Sequence, residues 1–145
     1  MTLHELSHIY YIADGEINYS TRLLGYFSSI ELANHAISQY LQAPGYCDAP
    51  LAFTIRQRAT IGHCELGKVY TALIYVHDRE YEYFEHIIEM GLFSSEDDAR
   101  CAISKFRTDN KVLYENTCFE IEEIVDIYEI NKKYCEEGFV VFKSG

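Results

Sequence analysis

The stretch Gly25-Tyr-Phe-Ser-Ser-Ile-Glu-Leu-Ala-Asn-His-Ala-Ile-Ser-Gln-Tyr40 occurs a second time in the chain, as Gly91-Leu-Phe-Ser-Ser-Glu-Asp-Asp-Ala-Arg-Cys-Ala-Ile-Ser-Lys-Phe106. Glycine, phenylalanine, both serines, two alanines, an isoleucine and a third serine coincide at an offset of 66 residues. At the same offset Phe53-Thr-Ile55 falls on Phe119-Glu-Ile121 without a gap. The chain is therefore predicted to be a tandem duplication, with a first repeat at 1–66 and a second at 67–145.

Both copies of the repeated stretch predict a helix. Ser28 with Glu31 three residues later is typical of a capping box, and Ser94 with Asp97 is a weaker version. Small and apolar residues then recur at helical spacing, namely Ala33, Ala36, Ile37 and Tyr40 in one copy and Ala99, Ala102, Ile103 and Phe106 in the other. Each helix is expected to pack one narrow face on a sheet.

Strand patterns flank the predicted helices. Residues 3–13 and 17–27 are rich in aromatic and β-branched residues, and Asp14-Gly15 between them predicts a hairpin turn. The segment Val69–Val76 is nearly all apolar, which predicts a central strand buried on both faces. Phe53–Thr60 predicts a further strand, and Gly138–Phe142 predicts a short terminal one.

Phe119–Ile130 fits both helical and strand spacing, because its apolar residues satisfy either period. We interpret it as a strand, since its repeat partner is a strand. After the first helix, Pro44–Pro50 must form a loop, whereas the second copy has Arg107–Glu115 in that place. The expected fold is α+β, with two ββαβ repeats joined in one antiparallel or mixed sheet and two helices packed on one face.

The chain is strongly acidic, with 12 Lys and Arg against 23 Asp and Glu and a formal charge of -11. Such a surface repels nucleic-acid phosphates and anionic lipid, so neither nucleic acid nor membrane is an expected partner. A basic protein is the natural complement, although acidity can also serve solubility alone. No apolar stretch approaches the roughly 20 residues of a membrane span, and the N-terminus lacks signal-peptide features. The five cysteines lack CxxC spacing, and a cytoplasmic location is expected.

Several segments together resemble a family of small, acidic, uncharacterised bacterial domains. They are His4-Glu-Leu-Ser-His-Ile-Tyr-Tyr11, Gly25-Tyr-Phe-Ser-Ser29, Pro44-Gly-Tyr46, Phe53-Thr-Ile55 and the closing Glu137-Gly-Phe139. The second repeat departs from the pattern because it lacks the Pro-Gly loop and the opening histidine. The resemblance implies a repeat unit and supplies no activity.

No catalytic or metal-binding pattern stands out. On one strand His4 and His8 would lie about 13 Å apart, at ~3.3 Å per residue, too far to share a metal unaided. His63-Cys64 is a possible ligand pair without further ligands at a recognisable spacing. The carboxylates occur in runs, which are typical of solvated faces. We therefore expect no cofactor, no metal and no enzyme activity.

The tyrosines are more informative, since the chain has 13 of them and no tryptophan. Tyrosine is enriched at interface cores, although it also suits ordinary half-buried strand positions. Tyrosines interleaved with acidic residues in 77–85 predict a surface for a basic partner. The candidate partner-binding residues are Asp78, Glu80, Tyr81, Glu82, Tyr83, Glu120, Glu122, Glu123 and Asp126.

These features favour an immunity protein that neutralises a basic nuclease toxin, such as one of the contact-dependent inhibition type. The alternative is a protein that binds a small ligand such as a signalling nucleotide, with tyrosines and Arg22, Arg56 or Arg58 lining its pocket. A regulatory interaction module is a third possibility. The sequence leaves oligomeric state open.

Overall fold

The computed structural model describes residues 1–14, 16–64, 66–81 and 85–139. The fold is α+β, with six strands in a mixed sheet and three helices. The elements are, in chain order, β1 (Thr2–Asp14), β2 (Glu16–Phe27), α1 (Ile30–Tyr40), β3 (Phe53–Ile61), β4 (Lys68–Asp78), β5 (Glu85–Phe93), α2 (Glu96–Asp109), α3 (Lys111–Glu115) and β6 (Phe119–Glu129). The strand order is β2-β1-β3-β5-β4-β6, and the β3–β5 pair is parallel.

The two hairpins β1–β2 and β4–β5 have the same register. His4 pairs with Phe27 in the first hairpin, and 66 residues later Tyr70 pairs with Phe93. Both antiparallel ladders shift register just before corresponding residues, Ser7 in β1 and Leu73 in β4. A β-bulge adds one residue to one strand of a pair and increases its local twist. The two hairpins are therefore bent at corresponding points.

A glycine lies at each bulge. Gly25 has φ +157° and Gly91 has φ +121°, a region of backbone conformation that residues with a side chain rarely adopt. Their surroundings differ, because a Cβ added to Gly25 would lie 2.5 Å from the backbone oxygen of Lys132. A Cβ added to Gly91 would meet nothing closer than 4.0 Å.

The helices α1 and α2 begin one residue later than the capping pattern predicted. Ser29 and Ser95 are the N-caps, and their hydroxyls accept hydrogen bonds of 3.2 Å from the backbone N–H groups of Leu32 and Asp98. The capping box proposed for Ser28 and Glu31 is therefore wrong, because the third helical residue is Leu32. The N–H of Ser28 instead donates to Asn131 Oδ1 at 2.9 Å.

The chain forms two compact units. The N-terminal unit comprises Thr2–Arg58 with Glu129–Gly145, and the central unit comprises Met1 with Ala59–Tyr128. In the N-terminal unit, helix α1 packs on the first hairpin around the buried residues Leu6, Leu24, Phe27, Ala33, Ala36, Tyr40 and Tyr46. In the central unit, helix α2 packs on the second hairpin around Ala72, Ile74, Val76, Phe93, Ala99 and Ile103. Each core thus combines one hairpin with one helix.

Strand β6 was correctly interpreted as a strand from an ambiguous pattern. Val69–Val76 lies within β4, which is an interior strand next to β6 but not the middle of the sheet. The short helix α3 was not predicted. The proposed terminal strand begins at Gly138 and Phe139, which have no strand structure, and residues 140–142 lie outside the described residues.

Candidate binding face on strands β4, β5 and β6

Strands β4, β5 and β6 of the central unit each have one set of side chains directed at helix α2. Examples are Ile74, Ile88 and Ile121, which all belong to the helix-packed core. Because side chains alternate along a strand, the intervening residues lie on the opposite face. We call this set the open face: it contains Leu73, Tyr75 and His77 on β4, Glu85, Ile87 and Glu89 on β5, and Glu120, Glu122, Ile124 and Asp126 on β6.

The register of the hairpin places residues of the open face side by side. Tyr75 pairs with Ile87, and His77 pairs with Glu85. Ile87 is 51% exposed although it is a large apolar residue. An exposed isoleucine beside a tyrosine, with carboxylates around both, has the apolar centre and polar rim of a protein interface.

Carboxylates without cationic partners dominate the charge of this face. Glu85, Glu120 and Glu122 are exposed, and Asp126 is half-buried. None of these four forms an ion pair with another described residue, in contrast to Glu96, which binds Arg100 on the surface of α2. The open face therefore presents uncompensated negative charge.

The aromatic rings of Tyr75 and His77 stand next to each other on this acidic face. Their ring centroids are 6.4 Å apart and their planes differ by 13°. Burial raises the pKa of the Tyr75 hydroxyl, and the negative charges of Asp126, Glu85 and Glu122 raise it further. These carboxylates therefore act on one aromatic side chain from both neighbouring strands.

An open depression of about 500 Å³ adjoins the His77 ring at the end of β4. It is lined by His77, Asp78, Arg79, Glu120, Ile121 and Glu122. The turn beside it is held by the Arg79 N–H, which donates to the Cys118 carbonyl at 2.9 Å, and by the Glu80 N–H, which donates to Asp78 Oδ1 at 2.9 Å. The depression thus has a fixed wall with one arginine among its carboxylates.

The structure brings together some of the residues that the sequence predicted as partner-binding. Asp78, Glu120 and Glu122 line the depression, and Asp126 lies on the open face close enough to act on Tyr75. Glu80 and Tyr81 are exposed on the turn after β4. Glu82 and Tyr83 lie outside the described residues.

Glu123 lies on the helix-facing side and is part of an internal network. It accepts two hydrogen bonds from Arg107, at 3.0 and 2.5 Å, and one from the Tyr114 hydroxyl at 2.9 Å. These bonds, with Arg107 foremost, lower the pKa of Glu123. In this position Glu123 fastens strand β6 to the helices and does not belong to the open face.

Sequence reasoning placed the stretch 77–85, with His77 and Glu85 at its ends, on a surface for a basic partner, but Tyr75, His77, Glu85 and Ile87 were not among the candidate residues. The alternation of residues 73, 75 and 77 within the apolar β4 segment was the available signal, but their neighbours on β5 depend on a register that the sequence does not state. Side-chain direction became readable only when the bulge position was known.

The arginines considered for a small-ligand site are engaged within the N-terminal unit. Arg56 and Arg58 bind Glu5 at 3.1 and 2.6 Å, and the Arg58–Glu5 pair is largely buried. The guanidinium of Arg22 lies over the Phe139 ring, 3.9 Å from its centroid. These three cations stabilise the unit, and a ligand would have to compete with those contacts.

His8 is fully buried and belongs to the core of the N-terminal unit. Its Nε2 donates to the Ala49 carbonyl at 3.1 Å, and the rings of Tyr46 and Phe53 contact it edge-on. Among residues 1–14, 16–64, 66–81 and 85–139, no group of three or more His, Cys, Asp or Glu side chains could hold a metal ion. Within that part of the chain, no helix is long and apolar enough to cross a membrane.

Comparison with known protein families, with curated proteins and with solved structures found no match to this chain.

Proposed function

We propose that this protein is a cytoplasmic immunity protein that binds and neutralises a basic nuclease toxin of a contact-dependent inhibition system or a related one. The observation that carries the proposal is the open face, where unpaired carboxylates surround Tyr75, His77 and the exposed Ile87. The proposed role is binding without catalysis. The net charge of -11 favours a basic partner over an acidic one.

The physical argument is competition for a cationic surface. A nuclease holds the phosphate backbone with Lys and Arg side chains, and this contact dominates its affinity for nucleic acid. Carboxylates on the open face would occupy the same cations and keep the substrate away. Opposite charges on two surfaces also accelerate their encounter, and salt screens this effect.

We also propose that the sheet is built from two ββαβ repeats, 1–66 and 67–145. Identical hairpin registers, bulges at Gly25 and Gly91, and serine N-caps 66 residues apart support this proposal. The four unpaired carboxylates Glu85, Glu120, Glu122 and Asp126 correspond at this offset to Tyr19, Thr54, Arg56 and Thr60, none of which is acidic. A duplicated scaffold would thus carry its acidic binding face on the second copy.

The test is co-expression with the protein encoded immediately upstream, followed by native mass spectrometry and a nuclease assay. We expect a one-to-one complex with a basic nuclease domain whose activity is inhibited. The triple variant E85Q/E122Q/D126N should lose most of the inhibition and most of the salt dependence of binding. The matched control E96Q/D97N/D98N removes the same number of charges from the first turn of α2 and should inhibit as the wild type does.

Two results would refute the proposal in different ways. Equal loss of inhibition in the triple variant and in its control would show that overall acidity, and not the open face, is responsible. An upstream protein that is neither basic nor a nuclease, together with no complex, would exclude an immunity role toward it.

A further inference from the structure

We propose that the open face recognises arginine in preference to lysine, with a guanidinium group lying against the Tyr75 and His77 rings. This inference rests on the proposed function and names the chemistry of the partner's contact. The preference for arginine depends on the ring geometry as well as on charge. A surface with carboxylates alone would not be expected to prefer arginine over lysine.

The shape of the aromatic pair suits a planar cation. The rings of Tyr75 and His77 are nearly parallel, at 13°, with centroids 6.4 Å apart. A planar guanidinium can stack on an aromatic face, whereas the ammonium of lysine is a compact, strongly hydrated point charge. Because the two rings share one orientation, a planar cation can lie against either of them without turning.

Carboxylates flank the aromatic pair from both neighbouring strands, β5 and β6. Glu85, on β5, is the cross-strand partner of His77. Asp126 and Glu122, on β6, lie close enough to Tyr75 for their charges to raise its pKa. Guanidinium groups form paired, parallel hydrogen bonds with a carboxylate, which an ammonium cannot do. An arginine on this face would therefore gain stacking and bidentate hydrogen bonds in one place.

Other occupants fit the open face less well. A second copy of this chain would place one acidic face against another, and like charges in contact are unfavourable. Nucleic acid is repelled for the same reason. The adjoining depression, about 500 Å³ in volume, has three carboxylates, those of Asp78, Glu120 and Glu122, against one cation, Arg79, in its lining, so it can receive a further cationic side chain. An arginine-bearing protein segment fits this combination best.

The experiment measures binding of acetylated, amidated hexa-arginine and hexa-lysine peptides to the full chain by isothermal titration calorimetry at low salt. We expect hexa-arginine to bind about threefold to tenfold more tightly, the size of one cation–π contact. Tyr75→Leu should remove most of this preference, and Tyr75→Phe should keep it, because Phe retains the ring. Glu122→Gln should weaken binding of both peptides.

The control is Tyr114→Leu, which changes a tyrosine on the helix-facing side and should leave the preference unchanged. Circular dichroism checks that each variant is folded. Equal affinity for the two peptides, or a preference that survives Tyr75→Leu, would overturn the arginine inference while leaving an acidic docking face intact. Absence of binding of either peptide would overturn this inference and also count against the proposed function.

Discussion

Residues 41–52 and 107–118 occupy corresponding places 66 residues apart, yet the chain folds differently in them. In the first, helix α1 ends at Tyr40 and an irregular loop places Tyr46 in the core, fully buried. In the second, helix α2 continues to Asp109, α3 follows, and Val112, the counterpart of Tyr46, is 84% exposed. The two hairpins have the same register, but the segments that follow their helices differ in structure. We call these segments, 41–52 and 107–118, the first and the second closure.

The two closures also differ in how far apart their contacts lie in the sequence. The Tyr46 hydroxyl donates to the Cys135 carbonyl at 2.7 Å, a contact across 89 residues, and burial raises the pKa of Tyr46 to about 12. In the second segment, Tyr114 and Arg107 bind Glu123, only 9 and 16 residues away. The first closure depends on the C-terminal segment, whereas the second is local.

The largest effect is expected from truncating the buried anchor. Tyr46→Ala should lower the free energy of unfolding by about 3–5 kcal/mol, because it leaves a cavity among Tyr40, Phe53 and Phe139. Val112→Ala, at the corresponding position, should change it by less than about 0.5 kcal/mol, as surface substitutions usually do. Urea titration followed by circular dichroism measures both. Similar losses in the two variants would contradict the difference between the closures.

A smaller difference is expected between the two bulge glycines. Gly25→Ala and Gly91→Ala each place a side chain at positive φ, which costs of order 1–3 kcal/mol. Gly25→Ala should lose about 1–3 kcal/mol more, because its Cβ would clash with the Lys132 carbonyl. The comparison needs only the urea midpoints of the two variants. If Gly91→Ala were the more destabilising, the close packing of the C-terminal segment on Gly25 would be refuted.

Local patterns in the sequence predicted most elements of the fold. The first hairpin, β4, α1, α2, β3 and β6 follow from apolar spacing and turn residues, which act over a few residues. The capping serine was misplaced by one residue, since Ser28 and Ser29 offer the same hydroxyl and only the contact with Asn131 separates them. The path of residues 131–137 was beyond prediction, because the hydrogen bonds of Asn131 and Tyr134 to the carbonyls of Tyr26 and Leu24 leave no periodic signal in the sequence.

In the candidate site too, local features could be predicted from the sequence, and contacts between strands could not. The carboxylates of β6 are visible in the sequence, and Asp78 follows from the turn after β4. The pairing of His77 with Glu85 needs the register, and the register needs the bulge after Thr71. Glu123 was wrongly grouped with the other β6 carboxylates, because the sequence does not show which side of the strand a residue faces. It lies on the side of helix α2 and binds Arg107.

His8 and Ile74 occupy the same place in the two hairpins, but only His8 can bind a proton. The Ala49 carbonyl can only accept, so His8 Nε2 carries a proton, and Nδ1 is an acceptor without a hydrogen-bond partner among the described residues. Burial lowers the pKa of His8; the hydrogen bond to Ala49 raises it, and the charge of Arg22 lowers it again. Protonation would place a second donor in a cage of aromatic rings facing Arg22.

Because this pKa is depressed in the folded state, the unfolded chain binds the proton more tightly. The contribution of neutral His8 to the free energy of unfolding is therefore fully present above the unfolded pKa of about 6.5. It is lost as the pH falls below that value toward the folded pKa. We expect the urea midpoint of the wild type to fall between pH 7 and 5, and that of His8→Ile to fall less. At pH 7.5 the variant should lose only about 1 kcal/mol, for the missing bond to Ala49. The control His35→Ala removes an exposed histidine, and its urea midpoint should fall with pH as that of the wild type does. If the urea midpoint of His8→Ile fell with pH as steeply as that of the wild type, His8 would not be the group that makes the N-terminal unit sensitive to acid.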